Sequence, residues 1–214
     1  MLAVKKKLLL IRHGKTDWNV EARFQGTTDI PLNDYGYRQA LKTAARIKSW
    51  QGAPIFSSPL KRAMQTAEAI SAGGRSVISL DDLTEINFGV WEGERVSDIK
   101  NKDEKALAEW HRDGFFSIPE KAEPWEQVYK RVSLAVDICL SGEDERIIII
   151  GHGGILRAIM VNLLQLDPHS VWRLAVYNCS ISGIDICHGV NNLIFLNDTL
   201  HLGMDEGCNV PFSY

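Results

Sequence analysis

Two stretches of this chain are apolar without interruption and end abruptly. Residues 8–11 run directly into Arg12, His13 and Gly14, and residues 147–150, four isoleucines, run into Gly151, His152, Gly153 and Gly154. A strand with one wet face alternates apolar and polar residues, so these runs predict strands buried on both faces, as in a parallel sheet. Helical spacing appears between and after them. Residues 34–50 place Ala40, Leu41, Ala44, Ala45 and Ile47 on one side of a helix. Residues 54–56 predict a strand, followed by Ser58 as N-cap and Pro59 as first residue of a helix to about Ala72, with Gly73 and Gly74 as its stop. Residues 77–80 predict a weaker strand. Further helices are expected over 124–140, with Val128, Val132, Ala135, Val136 and Cys139 inward, and over 154–164. Residues 180–186 and 193–196 predict two late strands, and 14–33 reads as a polar loop.

Strands alternating with helices of this length imply an α/β fold, a three-layer sandwich with a mostly parallel central sheet and helices on both faces. Residues 84–123 differ in character, being polar and charged yet carrying Phe88, Trp91, Trp110, Phe115 and Phe116. They read as an insertion, a cap at about 86–123, folding over one end of a single domain that spans 1–214. The aromatics either line a mouth for a bulky leaving group or pack the insertion onto the core.

With 214 residues, 45% hydrophobic and 24% charged, the chain is long and apolar enough to bury a sizeable core. No apolar run approaches the ~18 residues of a membrane span, and the first residues lack a cleavable leader pattern, so a soluble, cytoplasmic protein is expected. A net charge of −3, with both signs interspersed, provides no basic field for nucleic acid or a membrane surface. Cys139, Cys179, Cys187 and Cys208 show no C-x-x-C spacing, and beyond the adjacent pair Cys187 and His188 no histidine stands at ligand spacing. Reduced thiols and no metal site are expected.

Parallel sheets bind ligands beyond the carboxyl ends of their strands. Arg12, His13, Arg62 and His152 all fall at that edge, beside helix amino termini that offer free N–H groups. Singly, each has a structural reading: a hydrogen-bonded histidine, a paired arginine. Together they describe an anion pocket, for which the planar guanidinium suits phosphate or carboxylate.

Leu-Ile-Arg-His-Gly-Lys-Thr-Asp-Trp-Asn at 10–19 resembles the signature of the histidine phosphatase superfamily, in its phosphoglycerate mutase-like branch. Phe-Gln-Gly-Thr-Thr-Asp-Ile-Pro-Leu at 24–32, Ser-Ser-Pro-Leu-Lys-Arg-Ala-Met-Gln-Thr-Ala at 57–67, Leu-Thr-Glu-Ile-Asn-Phe-Gly-Val-Trp-Glu-Gly at 83–93 and Gly-His-Gly-Gly at 151–154 extend the match in chain order. The resemblance implies His13 as a nucleophile that forms a phosphohistidine. It implies Arg12, Arg62 and His152 around the equatorial phosphate oxygens, and Glu85 as general acid and then base. Asn19, Gln25, Gly26 and the Gly153 N–H are implied as substrate-binding groups, with no cofactor and no metal required. Two departures stand out. Lys15 replaces the usual Glu, and Ala122-Glu123-Pro124 replaces the usual Gly-Glu-Ser, from which Glu123 is carried over as a substrate contact.

The resemblance leaves several activities. A mutase needs cations for a substrate carboxylate, usually paired arginines after the acid; here Lys100, Lys102, Lys105 and Arg112 are scattered among acids. Phe-Gly-Val-Trp-Glu-Gly looks more like the phosphatase branch, which includes α-ribazole phosphatases, broad-specificity phosphatases and phosphoserine phosphatases. The expected function is therefore metal-independent hydrolysis of a small phosphomonoester, with α-ribazole 5′-phosphate a candidate. Phosphoglycerate mutase activity, phosphoserine hydrolysis and a catalytically silent phosphate-binding module are the alternatives. A homodimer is also expected from the resemblance.

Overall fold

The structure, a computed structural model, describes residues 6–72, 74, 76–187 and 190–203. Gly73, His188 and Cys208 lie outside the described residues. The described strands are β1 (Lys6–Arg12), β2 (Ile55–Ser57), β3 (Val77–Ser79), β4 (Arg146–Gly151), β5 (Ile181–Cys187) and β6 (Val190–Asp198). They form one sheet in the order β3-β2-β4-β1-β5-β6. The β3-β2-β4-β1 block is parallel, while β5 runs antiparallel to both neighbours.

The isoleucine run lies between β1 and β2, with Ile149 opposite Leu10 on one side and Phe56 on the other. Successive side chains point to opposite faces, which explains why neither run alternates. Leu8, Leu10, Ile147 and Ile149 pack into a core shared with α6 (Trp125–Leu140) and α7 (Gly153–Leu164). Leu9, Ile11, Ile148 and Ile150 face Ile47, Ala63 and Ala67, from the side of α2 (Asp34–Arg46) and α3 (Lys61–Ser71). All four isoleucines are buried, each contributing roughly 1.5–3 kcal/mol by removal from water.

Several local expectations are corrected. The 34–50 helix ends at Arg46, followed by a separate 3-10 turn at Lys48–Trp50. Helix α3 starts at Lys61 with Leu60 as its N-cap, so neither Ser58 nor Pro59 opens it. The Ser58 hydroxyl meets His152 instead, at 2.8 Å. The polar loop contains a four-residue helix, α1 (Asp17–Val20), closed by a Thr16/Asn19 capping box. Residues 84–123 hold α4 (Val96–Lys102) and α5 (Glu104–Asp113). Phe24, Phe88, Trp91 and Trp110 meet there at centroid distances of 5.1–6.2 Å, while Phe115 stacks on Trp125. Most of the aromatic set is therefore packing. No described helix is long and apolar enough to cross a membrane.

Candidate active site

The carboxyl ends of β1, β4 and β2 deliver Arg12-His13, Gly151-His152 and Ser57-Ser58 to one edge of the sheet. A cavity of about 780 Å³ opens there, lined by His13, Arg12, Arg62, Glu85, Asn19 and Gln25 among others. Gly26 and Gly153 also line it. Of the nine residues expected at the site, eight face one cavity.

His13 is buried, its amide donating to Gly151 O at 2.9 Å. Its Nδ1 lies 2.7 Å from the Gly14 carbonyl, which can only accept, so Nδ1 carries the hydrogen and Nε2 keeps its lone pair. Burial holds the ring well below the usual histidine value, and the guanidiniums of Arg62 and Arg12 push the same way. The result is a neutral imidazole in one tautomer.

Arg62 is fully buried and its fork is fixed by the loop and by β4. Nη2 donates to Gly26 O at 2.7 Å, Nη1 to Thr28 O at 2.8 Å and Nε to His152 Nδ1 at 3.1 Å. Burial lowers its pKa to about 10, Glu85 opposing and Arg12 adding to the shift, so it stays cationic at neutral pH. His152 donates from Nε2 to Ser58 Oγ, and burial followed by Arg62 holds it well below its usual value. His152, expected beside the phosphate oxygens, is bonded here through both ring nitrogens to protein groups, and the centre of its ring lies 5.1 Å from that of His13.

Glu85 accepts from its neighbour Ile86 N and from Gly154 N and Ile155 N, at 3.0–3.1 Å, in the first turn of α7. Two unpaired helix N–H groups thus bind a carboxylate, as such termini do. A Cβ at Gly154 would stand 2.7 Å from Glu85 Oε1, which explains the second glycine of Gly-His-Gly-Gly.

The Asn19 amide is oriented by its own cap: Oδ1 accepts from Thr16 N, Thr16 Oγ1 and Asn178 Nδ2. That leaves the Nδ2 donors on the other side, and the residue lines the cavity. Gln25 Oε1 lies 3.0 Å from the same Thr16 hydroxyl, whose one hydrogen is shared between it and Asn19 Oδ1. Gly26 has φ +52° and sits against Glu92, whose carboxylate accepts from Thr27 N, both threonine hydroxyls of Thr27 and Thr28, and Phe88 N. Glu92 therefore ties the Arg62-binding loop to the 84–123 segment.

Glu123 is corrected outright. It forms a fork-to-fork pair with Arg131 at 2.7–2.8 Å, and Arg131 also donates to Asp82 O and Thr84 O. Glu123 thus anchors the loop that precedes Glu85 and does not line the cavity. Sequence reasoning missed Asn178, which donates to His13 O at 3.0 Å, and Arg157, one turn into α7. The signal for Arg157 was its spacing of four from Gly153, which places both on one helix face. Among the described residues, no group of three or more His, Cys, Asp or Glu is arranged to hold a metal ion.

Comparison with known proteins gives a consistent result. The model of the family described as histidine phosphatase superfamily (branch 1) matches residues 8–199. A Proteus mirabilis protein named "Probable phosphoglycerate mutase GpmB" is 36% identical over 184 residues, 84% of each chain. A mycobacterial glucosyl-3-phosphoglycerate phosphatase solved with VO3 aligns at TM-score 0.84 and 28% identity, over 91% of this chain and 100% of that one. A phosphoserine phosphatase from Entamoeba histolytica, in complex with 3-phosphoglyceric acid, aligns at TM-score 0.81 and 32% identity, over 92% and 99%.

Proposed function

Because this chain belongs to the histidine phosphatase superfamily, branch 1, we propose that it hydrolyses small phosphomonoesters through a phosphohistidine on His13 without a metal ion. The observation that carries the reading is the state of His13: neutral, with Nε2 unprotonated, in a cavity shared with Arg12 and Arg62. Nε2 attacks phosphorus, and the bond to the ester oxygen breaks while Glu85 supplies the proton that leaves with the alcohol. Water then attacks the phosphohistidine, its oxygen bonding to phosphorus as the Nε2–P bond breaks and returns its electron pair to Nε2, and its proton passing to Glu85. Arg12, Arg62 and donors from Asn19, Gln25 and the Gly153 N–H offset charge on the transferring group, where most of the catalysis of phosphoryl transfer lies. His152 acts through Arg62 as a positioning residue. The 86–123 segment forms the cap of a single domain.

A phosphoglycerate mutase is the second reading, favoured by the name of the Proteus relative. The cations of the cap argue for hydrolysis. Lys100 pairs with Glu104, Lys102 with Glu94, Lys105 with Glu109 and Arg112 with Asp113; of the four only Lys100 lines the cavity, together with its partner Glu104. Of the cap aromatics, Phe88 and Trp110 line it as well, which supports α-ribazole 5′-phosphate as a candidate substrate.

The test is phosphate release in excess EDTA from p-nitrophenyl phosphate, 3-phosphoglycerate, phosphoserine and α-ribazole 5′-phosphate, comparing wild type with His13→Ala. Release that survives EDTA and vanishes in the variant is expected. Interconversion of 3- and 2-phosphoglycerate with a bisphosphate primer, without net release, establishes the mutase instead. Neither activity leaves a phosphate-binding module.

A further inference from the structure

The carbonyl that sets the tautomer of His13 is itself held from another element. The inward stripe of α2 is Gly36, Gln39, Ala40 and Thr43, so a carboxamide stands where an apolar side chain would pack, and Gln39 is only 1% exposed. A polar group buried to that degree needs a partner. Gln39 Oε1 accepts from Lys15 N at 3.1 Å, and Lys15 O accepts from the N-cap residue of the same helix, Asn33 N, at 3.0 Å. Gly36 allows the close approach, since a Cβ there would stand 2.6 Å from Lys15 N. Both backbone groups of Lys15 are therefore bonded to α2.

Lys15 N and Gly14 O belong to one peptide plane. In a trans peptide the N–H and the C=O point in opposite directions from a rigid amide, so fixing one fixes the other. Gln39 takes the N–H on one side, and the carbonyl is presented on the other to His13 Nδ1, at 2.7 Å. The bonds run head to tail from Nδ1–H through the amide to Oε1, and in such a chain each bond polarises the next. The preceding peptide is held separately, its N–H by Thr66 Oγ1 at 3.1 Å and its carbonyl by Asn178 Nδ2 at 3.0 Å. Asn178 Nδ2 also comes within 3.4 Å of Gly14 O, a weaker second hold on that oxygen.

We propose that Gln39 is a positioning residue that sets the nucleophilic tautomer of His13, acting through the Gly14–Lys15 peptide. The hold on the ring stands on the geometry alone; its consequence for turnover rests on the phosphohistidine reading above. Without the acceptor the peptide turns, Gly14 O leaves Nδ1, and the ring hydrogen redistributes toward Nε2. An Nε2 that carries the hydrogen has no lone pair with which to attack phosphorus, so the loss falls on kcat.

Nitrogen-15 spectra of histidine-labelled protein, in phosphate-free buffer above the histidine titration range, read the tautomer directly. A ring nitrogen that carries hydrogen and one that carries a lone pair resonate far apart. His13 is identified by the loss of its signals in His13→Gln, and His152, which carries its hydrogen on Nε2, is the internal control. The wild type is expected to show hydrogen on Nδ1 of His13. Gln39→Met is close in shape and lacks the acceptor. Its His13 Nε2 signal is expected to move toward the hydrogen-bearing position while His152 stays, with kcat falling about tenfold or more and KM changing less than about threefold. Gln39→Glu keeps an oxygen for Lys15 N–H and is expected to keep the wild-type tautomer. A wild type with hydrogen on Nε2, an unshifted His13 in Gln39→Met, a loss confined to KM, or Gln39→Glu shifted as far as Gln39→Met overturns the proposal. If the methionine variant does not fold, Gln39→Asn withdraws the acceptor by one methylene; the same shift is expected, and its absence overturns the proposal equally. A wild type that hydrolyses no ester while its tautomer follows Gln39 refutes the phosphatase and leaves the hold on His13 standing.

Discussion

His13 and His152 are neutral, buried imidazoles in the folded protein and ordinary ones in the unfolded chain, so acid acts on stability through them. Both native values lie well below 6.5, the causes being burial first and the neighbouring arginines next. Below pH ~6.5 the unfolded state therefore binds protons that the native state refuses, and stability rises with pH across that window. The contribution is fully present above ~6.5 and is lost as pH falls. Between about pH 7 and about pH 5.5, each unfolded imidazole takes up most of a proton while its native counterpart takes up almost none. That costs about 1 kcal/mol per histidine and about 2–3 kcal/mol for the two. Urea unfolding in phosphate-free buffer, followed by tryptophan fluorescence, measures it directly. The wild-type loss between the two pH values should exceed that of His13→Gln/His152→Gln by about 2–3 kcal/mol, on the order of 1 M in urea midpoint. Replacing His152 removes its bond to Arg62 and lowers stability at both pH values, which leaves the difference unaffected. His111 and His201, also lowered by burial, are common to both proteins and cancel. A double variant that loses as much stability in acid as the wild type would refute neutral burial of these rings, and with it the neutral nucleophile.

Glu85→Gln should lower kcat for alkyl phosphates by about 10²-fold or more, and far less for p-nitrophenyl phosphate, whose leaving group needs no proton. Equal losses for the two in steady-state assays would remove Glu85 from the acid role. Gly154→Ala brings a methyl within 2.7 Å of Glu85 Oε1 and 2.6 Å of Ile86 Cδ1, so kcat should fall about 10²-fold by displacement of the carboxylate. Arg131→Met breaks a pair whose side chains are only 15–17% exposed and frees the carbonyls of Asp82 and Thr84. Stability in urea should fall by about 2–3 kcal/mol, with Glu123→Gln costing less. Glu92→Ala removes the acceptor for two backbone amides and two hydroxyls, at a cost of about 2–3 kcal/mol. Its activity loss should appear in kcat as Gly26 and Thr28 release Arg62.

The parts of the fold that were legible are those whose cause is local. Ile147–Ile150 announces a doubly buried strand because no polar residue interrupts it, and Asn33 caps α2 with a bond to its own neighbour Gly36. Ser58 shows where local reading stops. Ser-Pro is a sound helix start on propensity, yet the hydroxyl is drawn to His152, 94 residues away, and the helix begins three residues later. His152 shows the same for roles: the motif brings it to the right strand end, while the fully buried Arg62 takes one ring nitrogen and Ser58 the other. Glu123 is held away from the cavity by Arg131 on the next helix, a pairing with no signal beyond a spacing of eight. Arg157 escaped because an arginine in an apolar helix reads as a solvent-facing residue until Leu174, Trp172 and the cavity are seen on its side of α7. Chemistry concentrated at one sheet edge is therefore readable from the residues that end strands. The tautomer, the fork orientation and the charge balance are set by contacts that only the tertiary structure supplies.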